Sequence, residues 1–246
     1  MMKETGNNLI KTSNNFPTAE EMVKAGVHLG HRTTKWNPKM EPYIFAEKNA
    51  VHIINLEKTS EKLEKAMEFL KGVAAKGGKI LLVGTSPAAK AVVIEAAALT
   101  DMPNVSDRWL GGTMTNFKIM NKRLEYFREL ERKRDAGELK KYTKKEQHDF
   151  DEEIKKLQKK FGGIKLLMKL PDTLLVLDPR KNDLAIKEAK IAKVPIVTIC
   201  DTNFIMDPKE INFPIPANDD AISSVALIAS YAVKAINDGK KLIKTE

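Results

Sequence analysis

Residues 79–99 read KILLVGTSPAAKAVVIEAAAL, and this stretch decides the fold class of the chain. A short apolar run ends at Gly84, a turn with Thr85 and Ser86 follows, and an alanine- and valine-rich segment comes next. The stretch predicts a β-strand over 79–84 and a helix over 87–99. A strand followed by such a helix is the unit from which parallel sheets covered by helices are built.

The same alternation of apolar strands and amphipathic helices extends from about residue 51 to near the end of the chain. Strands are predicted over 51–56, 79–84, 173–178, 194–200 and 213–215. Helices are predicted over 58–76, 87–99, 183–192 and 220–237. A shorter helix is expected to begin at Thr18, which has capping-box spacing with Glu21, and to end near Gly26. The core is therefore predicted to be α/β, with a mainly parallel sheet and helices on both faces.

Residues 114–165 interrupt this alternation, because they have heptad-like spacing, many charges and no strand signal. Two apolar seams are predicted, formed by Phe117, Met120, Leu124, Phe127 and Leu130 and by Phe150, Ile154, Leu157, Phe161 and Ile164. They predict an inserted antiparallel coiled-coil hairpin with its turn near 135–143. The predicted organisation is thus a flexible tail over 1–15, an α/β/α core over 16–113 and 166–246, and the hairpin over 114–165.

The charge balance indicates a polyanionic partner. The 246 residues contain 42 Lys and Arg against 33 Asp and Glu, a net charge of +9. The hairpin alone has 16 basic and 10 acidic residues. Its cations Lys118, Lys122 and Arg123 are candidates for RNA contact, although a solvated coiled coil explains such charges equally well. A membrane partner is disfavoured, since the apolar seams are committed to packing and no apolar run is long enough to span a bilayer.

Residues 26–39, GVHLGHRTTKWNPK, are predicted to form a binding loop in irregular backbone. Cations beside an aromatic ring suit RNA, because the cations bind phosphates and the ring stacks on bases. The candidates are His31, Arg32, Lys35, Trp36 and Lys39. A second candidate, Arg108, precedes Trp109, which either stacks on a base or fills the joint between hairpin and sheet.

Acidic residues follow two of the predicted strands, so they are expected at the carboxyl edge of the sheet, where ligands of α/β folds collect. They are Asp201, Asp219 and Asp220. One interpretation is that Asp219 and Asp220 cap the last helix. The alternative is that the three carboxylates bind a structural divalent metal ion together with His31. The sequence indicates no other cofactor.

The rival to an RNA-binding protein is an enzyme that binds a phosphorylated small molecule, with Asp201, Asp219 and Asp220 at its active site. The turn Gly84-Thr-Ser-Pro lies where a phosphate loop would lie, but it matches neither G-x-G-x-x-G nor G-x-x-x-x-G-K-[ST]. Thr85, Ser86 and the helix amides could still bind an anion there. No nucleophile elbow is present either, so no catalytic residues are predicted.

Six motifs together resemble the family of the bacterial-type second ribosomal protein of the small subunit. In chain order they are AGVHLGHRTTKWNPKMEPYIF, HIINLEKT, DRWLGGTMTNF, LPDTLLVLDPRK, VPIVTICDTN and IPANDDAI. The resemblance extends over nearly the whole chain from about residue 17 onward. Departures from the usual pattern are Ser86, where a basic residue is common, a slightly longer 204–213 segment, and Ala217 before the Asn-Asp-Asp triplet.

The resemblance implies a Rossmann-like three-layer α/β/α domain that carries a coiled-coil hairpin. It implies a structural role in the small ribosomal subunit, with contacts to ribosomal RNA and to neighbouring ribosomal proteins. Among these is the largest small-subunit protein, which captures messenger RNA and docks through members of this family. It favours His31, Arg32, Lys35, Trp36, Lys39 and Arg108 as RNA-facing or interface positions. A bacterial cytoplasm and no small-molecule substrate are the corresponding expectations.

Overall fold

The structure is a computed structural model that describes residues 9–10 and 16–243. It begins with helix α1 (Ala19–Lys24), in which Thr18 and Glu21 form the predicted capping box. Strands β1 (Leu29–Arg32), β2 (Ile44–Lys48) and β3 (Val51–Ile54) then form a separate antiparallel sheet in the order β1-β3-β2. The strand predicted over 51–56 therefore exists, but its expected place in the parallel sheet is wrong. Part of the predicted irregular loop is strand β1.

A five-stranded parallel sheet in the order β5-β4-β6-β7-β8 forms the centre of the fold. The elements after β3 are α2 (Leu56–Ala75), β4 (Ile80–Val83), α3 (Pro87–Thr100), β5 (Asn104–Val105), α4 (Phe117–Asp135), α5 (Lys144–Phe161), β6 (Thr173–Val176), α6 (Asp183–Ile191), β7 (Ile196–Cys200), β8 (Phe213–Pro216) and α7 (Ile222–Ile243). Only the two-residue β5 was not predicted within this sheet.

Helices cover both faces of the parallel sheet. Leu82, Leu175 and Val197 point to the face covered by α2, α3 and α7. Leu81 and Val176 point to the opposite face, where the core includes α6 and residues from α4 and α5. Strands β4 and β6 are buried along their whole length, as continuous apolar strands in parallel sheets usually are. The architecture is that of a Rossmann-like α/β domain.

Helices α4 and α5 occupy the segment that interrupts the alternation. Leu124 and Phe127 of α4 belong to the same buried cluster as Ile154 of α5. The Tyr126 hydroxyl donates to the Glu153 carboxylate across the pair at 3.1 Å. The connection includes Gly137, whose φ of +74° is easily adopted by glycine. Apolar side chains of α4 and α5 thus lie in one buried cluster.

The N-terminal residues are described only in part. Of the tail predicted over 1–15, Leu9 and Ile10 lie within the description. Their backbone amides donate to the Glu95 carboxylate at 3.2 and 3.3 Å, and Ile10 is buried in the core. The tail is therefore packed at these two residues. Residues 1–8 and 11–15 lie outside the described part of the chain.

A glycine in α7 permits close packing of α7 on α2. A Cβ at Gly239 would collide with the Lys71 carbonyl oxygen and lie 2.8 Å from the Ala74 Cβ. We therefore expect Gly239→Ala to lower the free energy of unfolding by about 2 kcal/mol, measured by urea denaturation followed by circular dichroism. Gly72→Ala on α2 is the control, because its Cβ would meet no atom within 4 Å. Equal stabilities for the two variants would contradict this account of the packing.

Candidate functional site

An acidic edge lies where β7 and β8 end, and His31 from the small sheet reaches it. The Nδ1 atom of His31 is 3.2 Å from Oδ1 of Asp201, and its Nε2 is 3.1 Å from Oδ2 of Asp220. The backbone amide of buried Asp219 lies 3.4 Å from the other Asp201 carboxylate oxygen. The structure thus brings together the four residues that the sequence analysis grouped as a metal site.

Hydrogen bonds between the small sheet and the loops after β7 and β8 hold His31 in this position. The His31 amide donates to the Thr202 hydroxyl at 2.8 Å, and the Asn218 side chain donates to the Leu29 carbonyl at 2.5 Å. Backbone approach is close here, since a Cβ at Gly30 would lie 2.6 Å from the Thr202 methyl group. A substitution at Gly30 would therefore displace His31.

The backbone amides just before α7 have a side-chain acceptor in Asn218. Asn218 Oδ1 accepts from the backbone amides of Asp220 and Ala221, each at 2.8 Å. Helix α7 begins at Ile222, directly after these amides. The carboxylate of Asp220 itself faces Nε2 of His31.

Crowding of carboxylates shifts two pKa values at this edge. Burial and the charges of Asp201 and Asp220 raise the pKa of Asp219 to about 7, whereas His31 opposes the rise. The contact with Asp201 raises the pKa of His31, and this effect outweighs the opposing effect of burial. Both pKa shifts share an electrostatic cause. The carboxylates favour a positive charge on the imidazole between them and disfavour another negative charge.

The atoms of the cluster are arranged around the imidazole ring. No group of three or more His, Cys, Asp or Glu side chains within the described ranges has a spacing suited to a metal ion. The buried Nδ1 of His31 nevertheless makes no hydrogen bond, so its 3.2 Å approach to Asp201 is an ion-pair distance without hydrogen-bond geometry. Imidazole and carboxylate groups are ligand types for divalent cations, and in this cluster each imidazole nitrogen lies within 3.2 Å of a carboxylate oxygen.

The carboxylate of Asp178 contacts the turn from β4 to α3. Oδ2 of Asp178, just after β6, accepts from the backbone amides of Thr85 and Ser86 at 3.0 and 2.5 Å. The Asn182 side chain holds the other carboxylate oxygen at 2.6 Å. Burial raises the pKa of Asp178, and the amide donors oppose that rise. These two backbone amides already have an acceptor, so they are not free to bind a nucleotide phosphate.

Glu188 of α6 fixes the loop that carries Arg108. Its buried carboxylate accepts from the Trp109 ring nitrogen at 3.2 Å and from the backbone amides of Gly112 and Met114 at 2.8 and 2.9 Å. Burial acts to raise the pKa of Glu188, but these donors outweigh it and lower that pKa. Trp109 is 6% exposed, so it fills the joint between the α4–α5 pair and the sheet and does not present its ring to a base. Arg108 beside it is exposed to solvent.

The predicted cations lie on the surface in two groups. Arg32, Lys35 and Lys39 are exposed beside half-buried Trp36, whose ring centroid is 5.0 Å from that of His52. Lys39 also pairs with Asp207 at 3.6 Å. Lys118, Lys122 and Arg123 are exposed on α4. Apart from Lys39, the Lys and Arg residues predicted to contact RNA form no salt bridge with another described residue, so their charges face solvent.

Residues 22–239 match the sequence profile of the family described as ribosomal protein S2. The chain belongs to the ribosomal protein S2 family. All six motifs lie inside the matched range. A curated relative, the small ribosomal subunit protein uS2 of Roseiflexus castenholzii (strain DSM 13941 / HLO8), is 47% identical over 219 residues. The alignment covers 89% of this chain and 82% of the relative.

Membership in the ribosomal protein S2 family supports a structural role in the ribosome. It gives no support to the rival enzyme that would bind a phosphorylated small molecule, in agreement with the Asp178 carboxylate at the β4–α3 turn. No helix in the described part of the chain combines the length and the apolar character needed to cross a membrane.

Proposed function

We propose that this chain is a structural constituent of the small ribosomal subunit that binds ribosomal RNA and adjacent ribosomal proteins. It would act in the cytoplasm of a bacterial-type cell as part of the ribosome and would catalyse no reaction. The observation that carries the proposal is the match to the uS2 relative over 89% of the chain. The net charge of +9 and the unpaired surface cations support RNA as the partner.

The domain organisation follows the same proposal. Residues 16–113 and 166–246 would form the RNA-binding α/β/α core, and residues 114–165 would form the coiled-coil hairpin. The presence of Leu124, Phe127 and Ile154 in one buried cluster supports the hairpin. The tail predicted over 1–15 packs on the core at Leu9 and Ile10.

The first RNA-binding surface would comprise His31, Arg32, Lys35, Trp36 and Lys39. Arg32 and Lys35 offer charges to phosphates, and the exposed part of Trp36 offers an aromatic face to a base. A second surface would comprise Arg108 with Lys118, Lys122 and Arg123 of α4. These residues support RNA binding because they are exposed, and no salt bridge with another described residue neutralises their charges.

We expect the double variant Arg32→Gln/Lys35→Gln to bind small-subunit ribosomal RNA about 10-fold more weakly at 0.1 M salt. Each lost phosphate contact should also reduce the slope of log affinity against log salt by about 0.7–0.9. Filter binding at several salt concentrations would measure both quantities. The matched control is Lys71→Gln/Lys76→Gln, with Lys71 on α2 and Lys76 directly after it, which removes the same charge from two exposed positions. Equal losses in the two double variants would show that only net charge matters.

Docking of the largest small-subunit ribosomal protein is the finer part of the proposal. A protein partner needs an apolar contact area, and Phe45 is 74% exposed on the small sheet. Val23 and Leu29 are 49% and 43% exposed, and Val23 lines the same shallow groove as Phe45. This apolar face supports docking of a protein beside the first RNA-binding surface.

A structural divalent metal ion held by His31, Asp201, Asp219 and Asp220 is proposed for the acidic edge. The approach of His31 to Asp201 and Asp220 supports it, and the raised pKa of Asp219 reflects a repulsion among the carboxylates that a cation would relieve. Elemental analysis of protein purified without chelator should find about one equivalent of a divalent metal. Absence of bound metal in wild type, with no thermal stabilisation by added Zn²⁺, would overturn it.

A further inference from the structure

A cleft of about 430 Å³ lies between the loop after β5 and the end of α5. One wall includes Asn104, Ser106 and Arg108. The opposite wall includes Lys159 and Lys160, in the last turn of α5. Three cations from segments about fifty residues apart in the chain therefore border one concave surface.

The charge of this cleft is not neutralised by the groups around it. All three cations are exposed, and none forms a salt bridge with any residue in the described ranges. The carboxylate among the lining residues belongs to Asp107, which is paired with Lys90. Ser106 and Asn104 add neutral polar groups. The cleft thus has the chemistry of a phosphate site, namely concentrated positive charge with hydrogen-bond donors beside it.

The two walls are held together by close backbone contact. A Cβ at Gly163 would collide with the Asn104 carbonyl oxygen and lie 2.7 Å from its side-chain oxygen. The Arg108 loop is fixed separately, because Glu188 binds the neighbouring Trp109. The backbone around the cleft is therefore fixed before binding, so the capture of a phosphate chain would need ordering of the cationic side chains and little backbone rearrangement.

We propose that the cleft between Arg108 and Lys159–Lys160 binds a phosphodiester segment of RNA at the base of the α4–α5 pair. This inference rests on the proposed RNA-binding function and adds a contact on α5, separate from Arg32 and Lys35. RNA is the chosen partner because three cations without a salt bridge and the neutral polar groups of Asn104 and Ser106 border the cleft. Base identity would matter little here.

The test compares two double variants of the full-length protein on the same helix. Lys159→Gln/Lys160→Gln removes the cleft cations, and Lys144→Gln/Lys145→Gln removes equal charge from the first turn of α5. The probe is small-subunit ribosomal RNA transcribed in vitro, measured by filter binding at several salt concentrations. We expect the cleft variant to bind about 10-fold more weakly with a salt slope reduced by about 1.4–1.8, and the control to change less than 2-fold.

A third variant separates geometry from charge. Gly163→Ala keeps every cation but pushes the walls apart, so it should weaken RNA binding several-fold, whereas Gly72→Ala should not. Equal weakening by both lysine doubles, or unchanged binding by the cleft double, would overturn the cleft. If the Lys159→Gln/Lys160→Gln variant lost binding to poly-glutamate but kept its binding to RNA, the cleft would be assigned to an acidic protein. That result would also overturn the proposed RNA site. Failure of wild type to bind the RNA at all would instead reject the proposed function.

Discussion

Glu188→Gln is expected to lower the free energy of unfolding by about 3 kcal/mol, the largest effect of any single substitution considered for this chain. The carboxylate is 4% exposed and accepts from the Trp109 ring and from the amides of Gly112, Met114 and Thr115. A glutamine offers one acceptor oxygen and turns an N–H₂ group toward the remaining donors. At least two buried donors would then lack a partner.

Thermal unfolding followed by circular dichroism would measure this loss as a fall in Tm of roughly 6–12 °C for a chain of this size. Glu210→Gln is the matched control, because Glu210 is exposed and its partner is Lys190 on the surface. We expect that control to stay within about 0.5 kcal/mol of wild type. A Glu188→Gln protein as stable as the control would show that the carboxylate does not hold the 109–115 loop.

Stability of the metal-free protein is expected to fall as pH rises from about 4 to about 7, through Asp219. Its folded pKa is raised to about 7 from an ordinary value of 3.8, so the unfolded chain loses this proton first. Between those values unfolding releases a proton, and stability therefore decreases with pH by on the order of 3 kcal/mol. The raised pKa of His31 acts with the same sign above pH 6.5, because its stabilising charge is lost as pH rises through the folded pKa.

Urea denaturation in EDTA at pH 4.5 and pH 8 would test this expectation with Asp219→Asn. The variant should have nearly wild-type stability at the lower pH and exceed wild type at the higher pH. Asp151→Asn on α5 is the control, since Asp151 is exposed, and its profile should run parallel to that of wild type. A wild-type profile that rises over this range, or an Asp219→Asn profile parallel to it, would show that Asp219 ionises freely in the folded protein.

Most of the parallel sheet was predictable because its strands are buried on both faces. Continuous apolar runs such as 80–83 and 173–176 are separated by helices with clear start and stop signals. The length of each run and the spacing of its apolar residues therefore both indicate a buried strand. The strand at 51–54 was wrongly placed in the parallel sheet, because a helix follows it directly as in the strands of that sheet. Its partners β1 and β2 belong to a polar, exposed sheet whose residues have little alternation to detect.

The candidate site was predictable where chain order places residues at one edge of the sheet. Asp201, Asp219 and Asp220 follow strands, so their meeting was expected, and His31 joined them as proposed. Asp178 and Glu188 were missed as organising groups, since their donors lie 92–93 and 73–79 residues away in the chain. Lys159 and Lys160 were missed among many lysines, because only packing of the helix end against the β5 loop distinguishes them.

Sedimentation of lysate through sucrose gradients at low and raised salt tests the central claim most directly, with the protein followed by immunoblot beside small-subunit RNA. A ribosomal constituent held largely by phosphate contacts should co-migrate with the small subunit at low salt and be partly released at raised salt. Migration only as a small free species at both salt concentrations would contradict the claim that this chain is part of the small ribosomal subunit.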